Sequence, residues 1–235
     1  MIELPLAGTG KKIGIAPAKI IAVGLNYREH VKESVSGQKL PNKVPAEPVL
    51  FAKTPNVLIG PGEAIIIPAL IDEYHFEDAR VDPEAELAVI IGRRGRHIPE
   101  ENAFDYVLGY TCFNDVSQRN FQYLDPSGWF RGKSLDTFGP IGPVIVSHKD
   151  IGDPQKLNLQ SRINGEIKQS GNTGDMIFSV PRLIAFISRH FTLEEGDIIA
   201  TGTPKGISPI HPGDVVEVEI EGIGVLRNPV EAEKG

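Results

Sequence analysis

Glu84 and Glu86 stand two residues apart at the head of the apolar run Leu87-Ala88-Val89-Ile90-Ile91. Successive side chains in a strand alternate faces, so the two carboxylates point one way while Ala85, Leu87 and Val89 point the other. Like charges that close repel each other, and one is pushed toward protonation unless a cation sits between them. A hard divalent metal removes that cost. An E-x-E strand can also be the solvated, salt-bridged face of an antiparallel sheet. A third carboxylate weighs for the metal: residues 106–113 form a second strand-like run ending at Asn114-Asp115, which makes Asp115 an acid at a strand end.

Three carboxylates with no Cys or His at ligand spacing favour Mg²⁺, Mn²⁺ or Ca²⁺ over zinc. The six histidines never form an H-x-H or H-x-x-x-H pair, which argues against zinc of the HExxH kind. A three-carboxylate site leaves coordination positions open for chelating a substrate. His30 and Glu33 are three apart and share one face of a short helix. A carboxylate there orients an imidazole and raises its basicity, as a general base requires; a plain surface pair is the alternative.

Gly132-Lys133-Ser134 invites a phosphate-loop reading, but that motif needs glycine at position 127, where Ser127 stands. Lys133 is better read as a charge that holds the metal ligands or polarises a substrate oxygen. Arg119 and Gln122, four and seven residues after Asp115, fall on one side of a helix leading away from it. They are placed to grip a substrate carboxylate, Arg119 by its fork of donors. Thr201-Gly202-Thr203-Pro204-Lys205-Gly206 must turn sharply after a strand. Its glycines, Gly202 first, let backbone N–H groups face an anion, and the Thr203 hydroxyl adds a donor.

Five segments in order carry a family resemblance. They are Gly24-Leu25-Asn26-Tyr27 with His30 and Glu33, Asp82-Pro83-Glu84-Ala85-Glu86-Leu87, Asn114-Asp115-Val116-Ser117-Gln118-Arg119, Gly132-Lys133-Ser134 with Asp136-Thr137, and the Thr201 to Gly206 loop. Together they resemble the fumarylacetoacetate hydrolase family, over about residues 20–230. The resemblance implies a fold of mixed β-sheets rolled around a metal site with few short helices. It implies that Glu84, Glu86 and Asp115 ligate Mg²⁺ or Mn²⁺, with Ca²⁺ able to stand in. It also implies that the His30/Glu33 pair sits on a lid and activates water, that the Thr203 loop holds a substrate carboxylate, and that the protein is a homodimer.

Short single-domain members of the family include acylpyruvate hydrolases, oxaloacetate decarboxylases, and 2-hydroxyhepta-2,4-diene-1,7-dioate isomerase/5-oxopent-3-ene-1,2,5-tricarboxylate decarboxylases. The first expectation is hydrolysis of a C–C bond in a 2,4-dioxo acid, of acylpyruvate or fumarylpyruvate type, through a metal-stabilised enolate. Decarboxylation or isomerisation at the same site ranks second. A non-catalytic metal-binding relative is the reading from another class, and retention of His30, Glu33, Lys133 and the Thr203 loop weighs against it.

These residues need strands to carry them. Strand signals recur at residues 19–23, 49–53, 64–68, 86–91, 107–113, 141–147, 157–163, 197–201, 214–220 and 224–227, punctuated by Gly, Pro and Asp. Asn164-Gly165 marks a hairpin turn between 157–163 and 166–169. Residues 181–190 form the clearest helix, with Ser179 as cap, Pro181 in the first turn and Leu183, Ile184 and Ile187 on one face. Short helices are expected at 28–34, 103–105 and 117–123. The class is β-rich α+β, without repeats. It divides into an N-terminal segment, 1–18, and one catalytic domain, 19–232. Polar residues 34–48, with Gly37, Pro41 and Pro45, extend the His30 segment into a lid over 30–48. Residues 72–82 read as a plain surface loop.

At 235 residues the chain can bury a sizeable core. A net charge of −7 and no basic stripe argue against nucleic acid. Residues 1–14 lack a signal-peptide apolar region, and the longest apolar runs, such as 64–70, are too short to span a bilayer. A cytoplasmic location with a small 2-oxo or 2,4-dioxo acid as partner is the expectation. The single cysteine, Cys112, sits inside a strand-like run and reads as a buried inert thiol. Tyr27, Phe121, Tyr123, Trp129 and Phe130 are the aromatic candidates for shaping the substrate pocket.

Overall fold

A computed structural model describes residues 1–33, 44–126 and 128–234. The β-branched runs pair into two mixed sheets. The larger has seven strands in the order Val49–Lys53, Ile20–Gly24, Ile198–Ala200, Ala85–Ile91, Val107–Asn114, Gly139–Ser147, Leu58–Ile59. Ile20–Gly24 and Ile198–Ala200 run parallel, as do Gly139–Ser147 and Leu58–Ile59, and the other neighbours are antiparallel. The smaller has five strands in the order Glu166–Asn172, Asn158–Ile163, Val215–Ile220, Gly224–Ala232, Ile65–Ile67. The protein is strand-rich α+β, as the punctuated strand runs predict.

Ala85–Ile91 is buried along its whole length because it is covered on both faces. Ala85, Leu87, Val89 and Ile91 pack with Leu159, Val218 and Leu226 of the smaller sheet and with Leu183, Ile184 and Ile187 of the Val180–His190 helix. Ala88 and Ile90 point the other way, among Ile20, Ala22, Ile198, Ala200 and Phe113. The period of two expected for this run is therefore the observed one. Ser179 caps the helix, its hydroxyl accepting from Arg182 N–H at 3.3 Å.

Three features differ from expectation. Ile2–Pro5 and Lys12–Ile15 form an antiparallel hairpin that delivers Leu4 and Ile15 to the second core cluster. Residues 72–79 are mostly exposed, as a surface loop is, but the segment is tied down at its ends and by its rings. The 3₁₀ turn Ala69–Tyr74 buries Ile71, Tyr74 and Phe76 stack with centroids 5.5 Å apart, both rings meet the edge of Phe121, and Val81–Asp82 pairs with Ser117–Gln118. The acidic composition of this stretch masks the apolar anchors inside it. That same pairing holds Ser117 and Gln118 extended, so the helix expected from Ser117 runs over Arg119–Leu124, with the Gln118 side chain capping Phe121 N–H at 2.6 Å. No helix among the described residues is long and apolar enough to cross a membrane.

Candidate functional site

Glu84 and Asp115 meet because the Ala85–Ile91 and Val107–Asn114 strands pair with Ala85 opposite Asn114. One residue further, Asp115 N–H donates to the Glu84 carbonyl at 2.9 Å, while Glu84 N–H donates to Asn114 Oδ1 at 3.0 Å. Ligand oxygens of Glu84, Glu86 and Asp115 then lie within 4.8 Å of one another. All three are buried, Glu84 the most exposed at 4%. That excludes the solvated salt-bridge face as an account of the E-x-E pattern.

The charges in this cluster are unevenly matched. Lys133 Nζ donates to Glu84 Oε2 at 2.7 Å and to Asp115 Oδ2 at 2.6 Å. Lys53 Nζ takes the other Asp115 oxygen at 2.7 Å. Arg119 Nη2 reaches Glu84 Oε1 at 2.5 Å and its Nε reaches Asp82 Oδ2 at 2.7 Å. Burial would raise the Glu84 pKa, but Lys133 and then Arg119 outweigh it and hold the carboxyl well below the usual carboxylate range. Among the described residues Glu86 accepts only from Gly202 N–H, at 2.9 Å, and no lysine or arginine pairs with it. Burial first, then the Asp115 and Glu84 charges, push its pKa well up. The cluster lacks positive charge at Glu86. An all-carboxylate oxygen set with that deficit fits a hard divalent ion of the Mg²⁺ or Mn²⁺ type, held by Glu84, Glu86 and Asp115.

Elements from distant parts of the chain place the surrounding groups. The short helix Phe130–Lys133 lies hard against Arg119–Leu124 because residue 132 is glycine: a Cβ there would stand 2.6 Å from the Gln118 carbonyl oxygen and 2.8 Å from Gln122 N. The close fit carries Lys133 Nζ to the carboxylates. Lys53 reaches them from the end of an apolar strand, and sequence reasoning missed it. Its only local signal is a lysine closing an otherwise apolar run, with no acid nearby to betray its partner. Beyond Ala200 the chain continues along Ala85–Ile91, with Thr201 Oγ1 donating to Leu87 O at 2.9 Å and Thr203 Oγ1 to Ala85 O at 2.8 Å. The Asn26 amide ties this loop to residue 178, donating to Thr201 O at 2.8 Å and accepting from Phe178 N–H at 2.8 Å.

His30, Glu84, Glu86, Arg119, Gln122, Lys133 and Thr203 line one pocket, walled on its apolar side by Phe51 and Trp129, whose rings meet edge-on at 5.2 Å. Asp115 is fully buried, and Gly202 holds Glu86 from the loop. Arg119 also donates to Gln122 Oε1 at 3.0 Å, so Asp82, Glu84 and Gln122 together engage its Nε, Nη2 and Nη1. The Glu33 side chain and residues 34–43 lie outside the described residues, and with them the expected His30–Glu33 contact and most of the lid. Of the aromatic candidates Trp129 lines the pocket and Phe121 packs in the core. Tyr27 lines a neighbouring cavity, while Tyr123 and Phe130 are exposed.

Fold and site mark out a class: a strand-rich α+β protein with a buried acidic cluster, two of whose glutamates line a pocket beside His30. Residues 19–231 match the family model described as fumarylacetoacetate (FAA) hydrolase C-terminal, and the chain belongs to the fumarylacetoacetate hydrolase family. It is 40% identical to the mitochondrial oxaloacetate tautomerase Fahd2a of Rattus norvegicus over 97% of this chain and 72% of that one. It is 44% identical to the 4-hydroxyphenylacetate degradation bifunctional isomerase/decarboxylase of Escherichia coli over 92% of this chain and 47% of that one. Among solved structures it resembles maleylpyruvate hydrolase from Sphingobium sp. SYK-6 in complex with manganese(II) and pyruvate, with TM-score 0.76, 33% identity, and 93% and 72% of the two chains covered. Members of the family thus include hydrolases, isomerases, decarboxylases and tautomerases.

Proposed function

We propose that this chain is a divalent-metal-dependent enzyme acting on 2-oxo acids that carry a second carbonyl, and that its reaction is hydrolysis of the C3–C4 bond of a 2,4-dioxo acid of acylpyruvate or fumarylpyruvate type. The supporting observation is that Glu84, Glu86 and Asp115 have ligand oxygens within 4.8 Å of one another, and that Glu84 and Glu86 line a pocket that His30 also lines. Bound there, Mg²⁺ or Mn²⁺ supplies positive charge beside the substrate oxygens on which negative charge develops. Lys133 and Arg119 keep Glu84 ionised and aimed into the site. Phe51 and Trp129 keep bulk water away from the reacting carbons. His30 takes a proton from a water whose oxygen adds to C4. The C3–C4 bond then breaks with its electrons going to C3, and C3 recovers the proton from His30. The products are pyruvate and a carboxylic acid.

The supporting comparison is the hydrolase structure that holds manganese and pyruvate together. A second reading, tautomerisation or decarboxylation of oxaloacetate or isomerisation of a hydroxydienedioate, is favoured by identities of 40% and 44% to a tautomerase and an isomerase/decarboxylase, against 33% to the hydrolase. None of these needs water, so His30 would move a proton between carbon and oxygen or be dispensable. The test is turnover of acetylpyruvate, fumarylpyruvate and oxaloacetate by metal-stripped protein with Mg²⁺ or Mn²⁺ restored, with the enol-to-keto change of oxaloacetate followed by ultraviolet absorbance. Metal-dependent cleavage of acylpyruvates that collapses in His30→Ala supports hydrolysis. Oxaloacetate turnover alone, retained in His30→Ala, supports the second reading. Turnover of every substrate no faster than with the free ion alone, and unchanged in Glu84→Ala, would leave a non-catalytic metal-binding protein.

A further inference from the structure

The ladder between Ala85–Ile91 and its neighbour Ile198–Ala200 ends at the Ala88–Ala200 pair. Ala85 therefore has no strand partner on that side, and its two backbone groups are taken by side chains. Its N–H donates to Gln169 Oε1 at 2.9 Å, and its carbonyl accepts from Thr203 Oγ1 at 2.8 Å. The N–H belongs to the Glu84–Ala85 peptide and the carbonyl to the Ala85–Glu86 peptide. These are the two peptides that join one carboxylate to the other.

Gln169 closes the circuit. Its Nε2 donates to Thr203 Oγ1 and to the Pro204 carbonyl, both at 2.8 Å, and its Oε1 also accepts from Ser161 Oγ at 2.9 Å. Both N–H donors and both acceptor positions of the amide are used, and only one amide orientation allows this. Flipped, the NH₂ would face the Ala85 N–H and the oxygen would face the Pro204 carbonyl. The residue is 1% exposed, so an unpaired group there would be costly. The loop lies close against the same strand, since a Cβ at Gly206 would lie 2.0 Å from the Lys168 carbonyl oxygen.

We infer that Gln169 is a positioning residue of the acidic centre. From the edge of the smaller sheet it holds the Glu84-Ala85-Glu86 backbone and the Thr203 loop in one register, and so sets how Glu84 and Glu86 share an ion. The inference rests on the metal reading proposed above and adds a residue that neither touches the ion nor lines the pocket. Outer groups that orient metal ligands typically change metal affinity by about 10- to 100-fold when removed.

The test compares wild type, Gln169→Met, Thr203→Val and the double variant. Three quantities are read: Mn²⁺ affinity by calorimetry, kcat and KM separately, and hydrogen exchange of the Ala85 amide in metal-free protein. Expected are a Kd for Mn²⁺ raised about 10- to 100-fold in Gln169→Met and loss of Ala85 amide protection. The double variant should be no worse than the worse single one, because both substitutions open the same circuit. A Gln169→Met protein that melts earlier but binds Mn²⁺ as wild type does would overturn the inference, as would additive effects. If Gln169→Met does not fold, Gln169→Asn, which keeps the amide one methylene short, is read by the same criteria. A wild type that takes up no Mn²⁺ defeats the metal reading instead. The Ala85 amide then decides the circuit, and equal protection in wild type and variant overturns it.

Discussion

Two glutamates two residues apart are in opposite electrostatic states. Glu84 faces Lys133 and Arg119, whereas Glu86 faces other carboxylates and one backbone N–H. Glu86→Gln should accordingly leave the metal-free protein as stable as wild type or more so at neutral pH while sharply weakening Mn²⁺ binding, read by melting with and without the ion. The sign of the pH dependence follows from the raised Glu86 pKa. The folded protein keeps a proton that the unfolded chain releases near the ordinary glutamate value of 4.5. This group's contribution is therefore complete below that value and declines as pH rises toward the raised folded value, by about 1.4 kcal/mol per pH unit at most. Melting of metal-free protein from mildly acidic pH upward should show the decline, and Glu86→Gln should remove it. Cys112 makes a simpler case: burial pushes its thiol up to about 12, so the native protein should not react with a disulfide reagent at pH 8 until it is unfolded.

At the scale of elements the site depends on close approach. Gly132→Ala would put a methyl against the Gln118 carbonyl, forcing the Phe130–Lys133 helix outward and drawing Lys133 from Glu84 and Asp115. A cost of about 1–3 kcal/mol in denaturant unfolding is expected from the overpacking, with loss of turnover exceeding what the stability change explains. The E-x-E run was legible because a strand's period of two needs no tertiary information, and the Ser179-Pro181 start of the long helix was legible because a cap is local. The anchoring of the 72–82 segment was not legible for the opposite reason: Tyr74 and Phe76 acquire meaning only through Phe121, some forty-five residues on.

At the scale of the molecule the two sheets close on each other through Leu87, Val89, Leu159, Val218 and Leu226. Leu87→Ala, fully buried and next to Glu86, should cost about 2–5 kcal/mol and lower Mn²⁺ affinity in the protein that remains folded. A bound ion should in turn stabilise the whole chain. At one hundred times its Kd, Mn²⁺ adds about 2.7 kcal/mol, which for a domain of this size raises Tm by roughly 5–11 °C. A chelator should reverse the shift in wild type and have no effect on Glu86→Gln.

The strand-rich class, the shared face of Glu84 and Glu86, the place of Asp115 at a strand end, and the family were all legible in one dimension, because period, turn chemistry and motif order are properties of the chain alone. Which cations answer which carboxylates came from packing. Lys53 lies sixty-two residues from Asp115 and Gln169 eighty-four from Ala85. Their hydrogen bonds depend on how two sheets pack, and no spacing in one dimension encodes that.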